Sequence, residues 1–359
     1  MGFSEEQEGE LLLPDTEIGA MARQVKHRYR MPAEWEPHWG TWVSWPKDPD
    51  TFPGGILPAV ERAYVEFVEA LGKGEEICIL VNDSKAEARV RGMLKDARVS
   101  FHRIDTVDVW VRDYGPTYVV GEEGAVVKWT FNAWGDKYED LKPDNGAGEE
   151  IARESGLAVL RPGIVLEGGS IDVNGEGCML TTEQCLLNQN RNPGVSRQRL
   201  EEILGTSLGV SKVVWLGEGI EGDDTDGHVD DVARFVGPRN VVAAAEPSLE
   251  DRNHKALDGN LRRLERATDQ SGRPLEVTEI PMPPAIEGPE GRLPASHLNF
   301  YIGNGAVVVP TFGGDSDKPA LRVLQDAFPE REIVGVDCRA LVHGLGTLHC
   351  VTQQVPALR

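Results

Sequence analysis

A cysteine with a histidine on one side and a polar strand-like run on the other lies near the end of this chain, in GLGTLHCVTQQ (344–354). Cys350 follows a Gly-containing turn, poor surroundings for a disulfide and good ones for a nucleophile, because thiolate character depends on polar or positively charged neighbours. Three other segments offer it partners: WVRDYGP (110–116), EGGS (167–170) and TDGHVDD (225–231). Each sets acids or a histidine beside glycine and an apolar run. A cysteine, a histidine and several carboxylates suit attack on a carbon that carries positive charge.

Each piece alone has a plainer reading. Asp113 before Gly-Pro is a common turn former. Glu167 stands before two glycines that let other groups approach the backbone closely. His228 and Asp230 are two apart, so on a strand both would point to one face. They would also serve a metal site, yet no second His or Cys stands at metal-ligand spacing beside them, and no metal is expected. A buried, inert thiol is the default for any free cysteine. Against it, Cys350 is flanked by Thr347, His349, Thr352, Gln353 and Gln354.

Composition narrows the partners. Of 359 residues, 59 are acidic and 37 basic, a net charge of −22, which argues against a nucleic-acid backbone as ligand. It permits a cationic substrate. No apolar run is long enough to span a membrane, and the first residues do not read as a secretory signal. Five cysteines with no CxxC pair argue against a disulfide framework or a zinc site and fit a reducing cytoplasm. Cys78, Cys178 and Cys185 lie in apolar runs and read as core. The sequence allows a homo-oligomer without specifying one.

The elements that must position these residues recur. Residues 1–30 read as an N-terminal extension upstream of a domain running from 31 to 359. A helix is predicted over 57–72 from its apolar face, a buried strand over 75–83, and a helix over 84–97 capped by Ser84. Hairpins follow at 117–131, 171–182, 233–245 and 298–312, each turning on Gly or Asn. Amphipathic stretches lie between them at 147–155, 196–205, 253–268 and 318–328. Length alone admits two domains. The recurrence, at about 50 to 65 residues, favours one α/β domain of hairpin–helix–strand units closing into a ring. The Pro/Gly-rich 281–297 reads as a long surface loop that could act as a lid.

Taken in order, WVRDYGPT, FNAWG (131–135), EGGSIDVNGEG, LLNQNRNP (186–193), DDTDGHVDD and HCVTQQ resemble the agmatine deiminase and Porphyromonas-type peptidylarginine deiminase family, within the guanidine-modifying pentein superfamily. The likeness runs over roughly residues 30–356. It implies a five-bladed α/β propeller of ββαβ units with a site on the pseudo-fivefold axis. By motif match, Cys350 would be the nucleophile and His228 the general acid/base. Asp113 and Asp230 would bind the guanidinium nitrogens, Glu167 would orient His228 or hold substrate, and Trp110 would line the pocket. The implied reaction is cofactor-free hydrolysis of a small cationic guanidine, agmatine first, to a ureido product and ammonia. Peptidyl-arginine or free arginine is the alternative substrate, and a silent propeller-shaped binding protein the alternative class.

The chain departs from the family's usual pattern beside these positions. GLGT (344–347) replaces GGGN, Asp172 stands where His is usual, Asp231 where Asn is frequent, Tyr114 where Thr is frequent, and DKYEDL follows FNAWG. These changes leave the substrate's tail open, with Asp172, Asp224, Asp226 and Asp231 as candidate partners for an ammonium group.

Overall fold

Five sheets of one recurring plan make up the frame of the molecule, described for residues 28–95 and 97–358 by a computed structural model. In each, an antiparallel pair is followed by a helix and then by a strand parallel to the second member of the pair. One sheet pairs Thr352–Pro356 with His38–Ser44, which is followed by helix Leu57–Leu71 and parallel strand Glu76–Val81; Val99–Arg103 extends it. The next pairs Thr117–Gly121 with Ala125–Val127, then helix Asp144–Glu154 and strand Ala158–Leu160. The third comprises Asp172–Val173, Cys178–Thr182, helix Arg197–Leu208 and Lys212–Leu216. The fourth comprises Ala233–Phe235, Asn240–Ala245, helix His254–Glu265 and Glu276–Pro281. The fifth comprises Tyr301–Ile302, Ala306–Thr311, helix Asp317–Ala327 and Glu332–Asp337. The fold is mixed α/β, and all four expected hairpins are antiparallel pairs. Glu76–Val81, parallel to a neighbour on each side, is buried on both faces and reads as the apolar run EICILV.

Local chemistry explains the element ends. Leu57–Leu71 buries Val60, Tyr64, Phe67, Val68 and Leu71 along one stripe, and Gly72 caps it. The next helix, Ser84–Met93, is capped by Asp83 and not by Ser84: Asp83 is extended, and its carboxylate accepts from Ala86 N at 2.7 Å. It stops four residues before the expected end, and the chain then brings Ala97 against Gly72, where an added Cβ would lie 2.6 Å from that of Ala97. Tyr29–Arg30 pairs with Val120 and Gly121, so two residues assigned to the extension belong to a sheet. Residues 1–27 of the extension lie outside the described residues.

The stretch 281–297 is not a single surface loop. It contains the two-strand hairpin Glu287–Gly288 and Gly291–Arg292, and its end is core: Ala295, Ser296 and His297 are buried. Among the described residues no helix is long and apolar enough to cross a membrane, and all five cysteines are free and buried.

Candidate active site

The turn that enters each sheet carries a polar or reactive side chain. Asp113 precedes Thr117, Glu167 precedes Asp172, His228 and Asp230 precede Ala233, Asn299 precedes Tyr301, and Cys350 precedes Thr352. A repeated unit entered from the same side delivers one such turn per sheet, and these turns meet. Gly169 marks the meeting point. A Cβ there would lie 2.5 Å from His228 Nδ1, 3.0 Å from Asp230 Oδ2 and 3.1 Å from Asp113 Oδ1. Only glycine leaves room for the three groups around that backbone.

The nucleophile candidate is anchored on all sides. Asn299 Nδ2 donates to Cys350 Sγ at 3.1 Å, and Asp230 Oδ2 lies 3.8 Å from the sulfur. Asn299 Oδ1 accepts from Thr347 Oγ1 at 2.9 Å and from the backbone amides of His349 and Cys350 at 2.9 and 3.3 Å. In the GLGT turn, a Cβ on Gly346 would sit 2.6 Å from Trp110 Cζ3 and 3.2 Å from Cys350 Sγ. Trp110 and the thiol thus both lie against Gly346, and Trp110 Nε1 donates to Asp108 Oδ2 at 2.9 Å. Leu345 occupies the left-handed region at φ +69°. Burial pushes the Cys350 thiol well above its usual range, and Asp230, Asp231 and Asp113 add to the effect.

Asp113 sits in the short helix Val111–Tyr114. Its carboxylate accepts from Gly169 N and from Trp134 Nε1, both at 3.0 Å. Burial pushes it up to about 6, with His228 opposing and Asp230 and Glu167 reinforcing the rise. Trp134 reaches it through a strained run, since Ala133, Trp134, Gly135 and Asp136 all have positive φ. FNAWG had been noted as a motif without a role; its indole is a site group.

His228 does not lie on a strand. It caps the 3-10 turn Val229–Asp231, held through its backbone N–H by Asp223 and Thr225 at 3.0 and 3.1 Å. It still faces the site, with Nδ1 3.8 Å from Asp113 and Nε2 3.9 Å from Glu167. The second distance is an ion-pair separation, wider than the hydrogen bond expected for Glu167. Burial works against charge on the ring, but Asp113, Cys185 and Glu167 together raise it well above the usual histidine value. Among the described residues, both His228 nitrogens, Glu167 Oε2 and Asp230 Oδ1 are buried without a hydrogen-bond partner. Buried polar atoms are nearly always paired, so four such atoms around one point mark a place built for a polar ligand.

Two further residues escaped the sequence reading. Arg191, in the noted LLNQNRNP motif, is buried and donates from Nε to Glu167 Oε1 at 2.8 Å while also gripping Asp226. Burial pushes Glu167 up, but His228 and Arg191 pull it below its usual value. Cys185, read as core, is buried but lies with Glu167 and His228 in a group whose ligand atoms are within 4.8 Å of one another. The soft ligand found missing beside His228 in sequence is therefore near in space, brought by the short helix Glu183–Leu186. The donor set still suits a proton better than a dication: Arg191 already supplies positive charge to Glu167, and His228 favours its protonated form.

The four acids weighed for an ammonium tail separate in structure. Asp172 is paired with Arg234 and accepts from Phe235 N at 2.9 Å. Asp226 is held by Arg191, Asn190 and Lys137. Asp231 accepts from Asn299 at 3.1 Å, and burial next to Asp230 and Asp223 keeps its carboxyl well above the usual range. Asp224 is bound by Tyr138 Oη at 2.5 Å, and no cation pairs with its carboxylate among the described residues.

Known proteins match this chain over nearly its whole length. An agmatine deiminase of Stutzerimonas stutzeri is 39% identical over 354 residues, covering 92% of this chain and 96% of that protein. The solved agmatine deiminase of Enterococcus faecalis superposes with a TM-score of 0.86 at 35% identity, covering 92% of this chain and 96% of the other. An amidinotransferase from Microseira wollei, 12% identical, shares the fold with a TM-score of 0.55, covering 92% and 99% of the two chains. Residues 30–356 match the profile of the Porphyromonas-type peptidyl-arginine deiminase family, and the chain belongs to that family.

Proposed function

We propose that this protein hydrolyses agmatine to N-carbamoylputrescine and ammonia, through a covalent intermediate on Cys350. The observation that carries this reading is the meeting of His228, Asp113 and Asp230 around Gly169, with Glu167 facing His228, Cys350 3.8 Å from Asp230, and four polar atoms of the group unpartnered among the described residues. A guanidinium is planar and cationic. Asp113 and Asp230 accept its N–H groups in pairs and hold its carbon toward Cys350. Trp110 walls the pocket. The likeness to curated agmatine deiminases along the chain supports the choice of substrate.

The thiol is neutral in the free enzyme because it is buried and carboxylates surround it. A bound guanidinium reverses the local sign and favours the thiolate, the thiol's proton passing to solvent as the substrate binds. The thiolate adds to the guanidinium carbon. His228 donates a proton to one nitrogen, the C–N bond breaks and ammonia leaves, giving an S-alkylthiouronium on Cys350. His228, now neutral, removes a proton from water as the water attacks the same carbon. The C–S bond breaks, the ureido product departs and the thiol is restored. Glu167, kept ionised by Arg191, faces His228 and supports its positive form.

Five hairpin–helix–strand units around a pseudo-fivefold axis, the pentein propeller, give these roles their geometry, in a single domain that also takes in Tyr29 and Arg30. Asp224 receives the distal ammonium of agmatine, with Tyr138 fixing its carboxylate. Five free cysteines suit a reducing cytoplasm.

The test is to incubate the purified protein with agmatine, arginine and a peptidyl-arginine, and to measure ureido product and ammonia. Agmatine should turn over best, and Cys350→Ser should abolish turnover. No product from any of the three, with Cys350 intact, would sink the reading. Turnover of a peptidyl-arginine in preference would move the substrate to a protein side chain.

A further inference from the structure

His349 stands next to the nucleophile in sequence, is 2% exposed, and lies between two carboxylates. Its Nδ1 is 2.7 Å from Asp230 Oδ2 and its Nε2 is 2.9 Å from Glu34 Oε2. Glu34 is anchored on its other sides by Arg234 at 2.9 Å, Arg112 at 3.4 Å and the amide of Ile302 at 2.8 Å. Donors this close keep Glu34 ionised. An ionised carboxylate only accepts hydrogen bonds, so a ring facing carboxylate oxygens at both nitrogens has to donate from both. Only the imidazolium does so.

Charge balance leads to the same state. Asp172, Glu34 and Asp230 alternate with Arg234, Arg112 and His349 in one buried cluster. Three negative groups meet three positive ones only when His349 is charged. A neutral ring would leave Asp230 with no ion-pair partner among the described residues and only the more distant charges of His228 and Arg234 to offset it.

We propose that His349 is a positioning residue, a buried imidazolium that pins one oxygen of Asp230 and leaves the other for the substrate's guanidinium. The division is visible in the bonds: Oδ2 of Asp230 takes the ring N–H, while Oδ1 has no partner among the described residues. The ring is held by its bonds to Asp230 and Glu34 and by its burial, and its backbone N–H is held separately by Asn299 Oδ1. Burial opposes charge on Asp230, but the His349 hydrogen bond and charge, with His228 and Arg234, hold its carboxyl below the usual value. The other charged groups near the ring are Arg112 and Arg234 beyond Glu34, and His228, Asp231 and the Cys350 thiol beyond Asp230.

The inference rests on the hydrolytic reading for its purpose, but its first test does not. In protein labelled with ¹⁵N-histidine, the His349 ring, assigned by its loss in His349→Gln, should show both nitrogens protonated at about pH 7.5. A neutral tautomer at about pH 7.5 overturns the proposal whatever the enzyme's activity. The second test is kinetic. His349→Gln should lower kcat/KM for agmatine by about 100-fold, mostly through a higher KM with kcat changed far less, because Asp230 loses the group that fixes its binding oxygen. An unchanged KM in a folded variant would also overturn it. Should that variant not fold, the His349 ring is assigned by elimination, through single substitutions of the other histidines, and the wild-type ring spectrum then decides. Should the protein turn over no guanidine at all, the spectrum still decides the state of His349, so the two failures are told apart.

Discussion

Burying carboxylates around a thiol disfavours every one of their charges, and Asp113 shows the consequence most clearly. Its carboxyl is pushed up to about 6 in the folded chain, against 3.8 for a free aspartate. Between those values the folded state holds a proton that the unfolded state has released. Wild-type stability therefore rises as pH falls from about 7 to about 4, by at most about 3 kcal/mol from this residue. Asp113→Asn lacks that dependence. Thermal unfolding of the two proteins across this window should show the wild type gaining on the variant as acid is added; parallel curves would refute the burial argument. The same protonation removes the guanidinium acceptor proposed above, so kcat/KM for agmatine should fall below about pH 6 in the wild type. Cys350 yields a second expectation. Its thiol is neutral until a cation arrives, so a cationic haloacetamidine should label it at least about 10-fold faster than iodoacetamide relative to free cysteine. Equal relative rates would place the stabilising cation in the protein and not in the substrate.

At the scale of the element, the helices and hairpins were legible because apolar spacing and Gly/Asn turns report them directly, as in Leu57–Leu71 and the pair around NGEG. The turns that carry the site were legible only as motifs, since none has a repeating backbone. His228 and Asp230 were assigned strand alternation, yet they face the site from a 3-10 turn. Asn299 went unnoticed because a lone amide carries no acid–base signal. Its place just before the fifth hairpin, where the other units carry Asp113, Glu167, Asp230 and Cys350, was the signal that could have found it. The GLGT turn invites a direct test. Leu345 holds φ +69° where related sequences are expected to carry glycine. A leucine there costs roughly 1–2 kcal/mol in backbone strain, partly offset by its packing on the core. Leu345→Gly should therefore change stability by less than about 1 kcal/mol and keep kcat. Leu345→Val, branched at Cβ, should lose more than about 2 kcal/mol and most of the activity. Equal effects of the two would show that the side chain, and not the backbone angle, sets the turn.

Across the whole molecule, the site has no single owner. Asp113, Glu167, His228, Asn299 and Cys350 come from the entrances of five different sheets, and the sheet that follows Cys350 is built from both ends of the chain, Thr352–Pro356 on His38–Ser44. Arg112 ties two of these entrances together. Its backbone N–H donates to Cys350 O at 3.2 Å and its guanidinium to His349 O at 3.2 Å and Gln354 at 2.6 Å. The recurrence of hairpins in the sequence disclosed the repeated unit, but not these contacts between units, because they join residues far apart in the chain. A site assembled this way has no local part that can open while the rest stays active. A site carried on one mobile loop would behave otherwise, losing activity before the fold. In a denaturant titration, agmatine hydrolysis, far-ultraviolet circular dichroism and tryptophan emission should therefore fall together, with midpoints agreeing within about 0.2 M urea. Deleting residues 352–359 should remove the folded state outright and not merely lower kcat, since it strips the first strand from one sheet and frees the edge of His38–Ser44. An activity midpoint well below the structural ones, or a folded deletion variant, would show that the sheets keep separate stabilities and that the entrances are not bound into one cooperative unit.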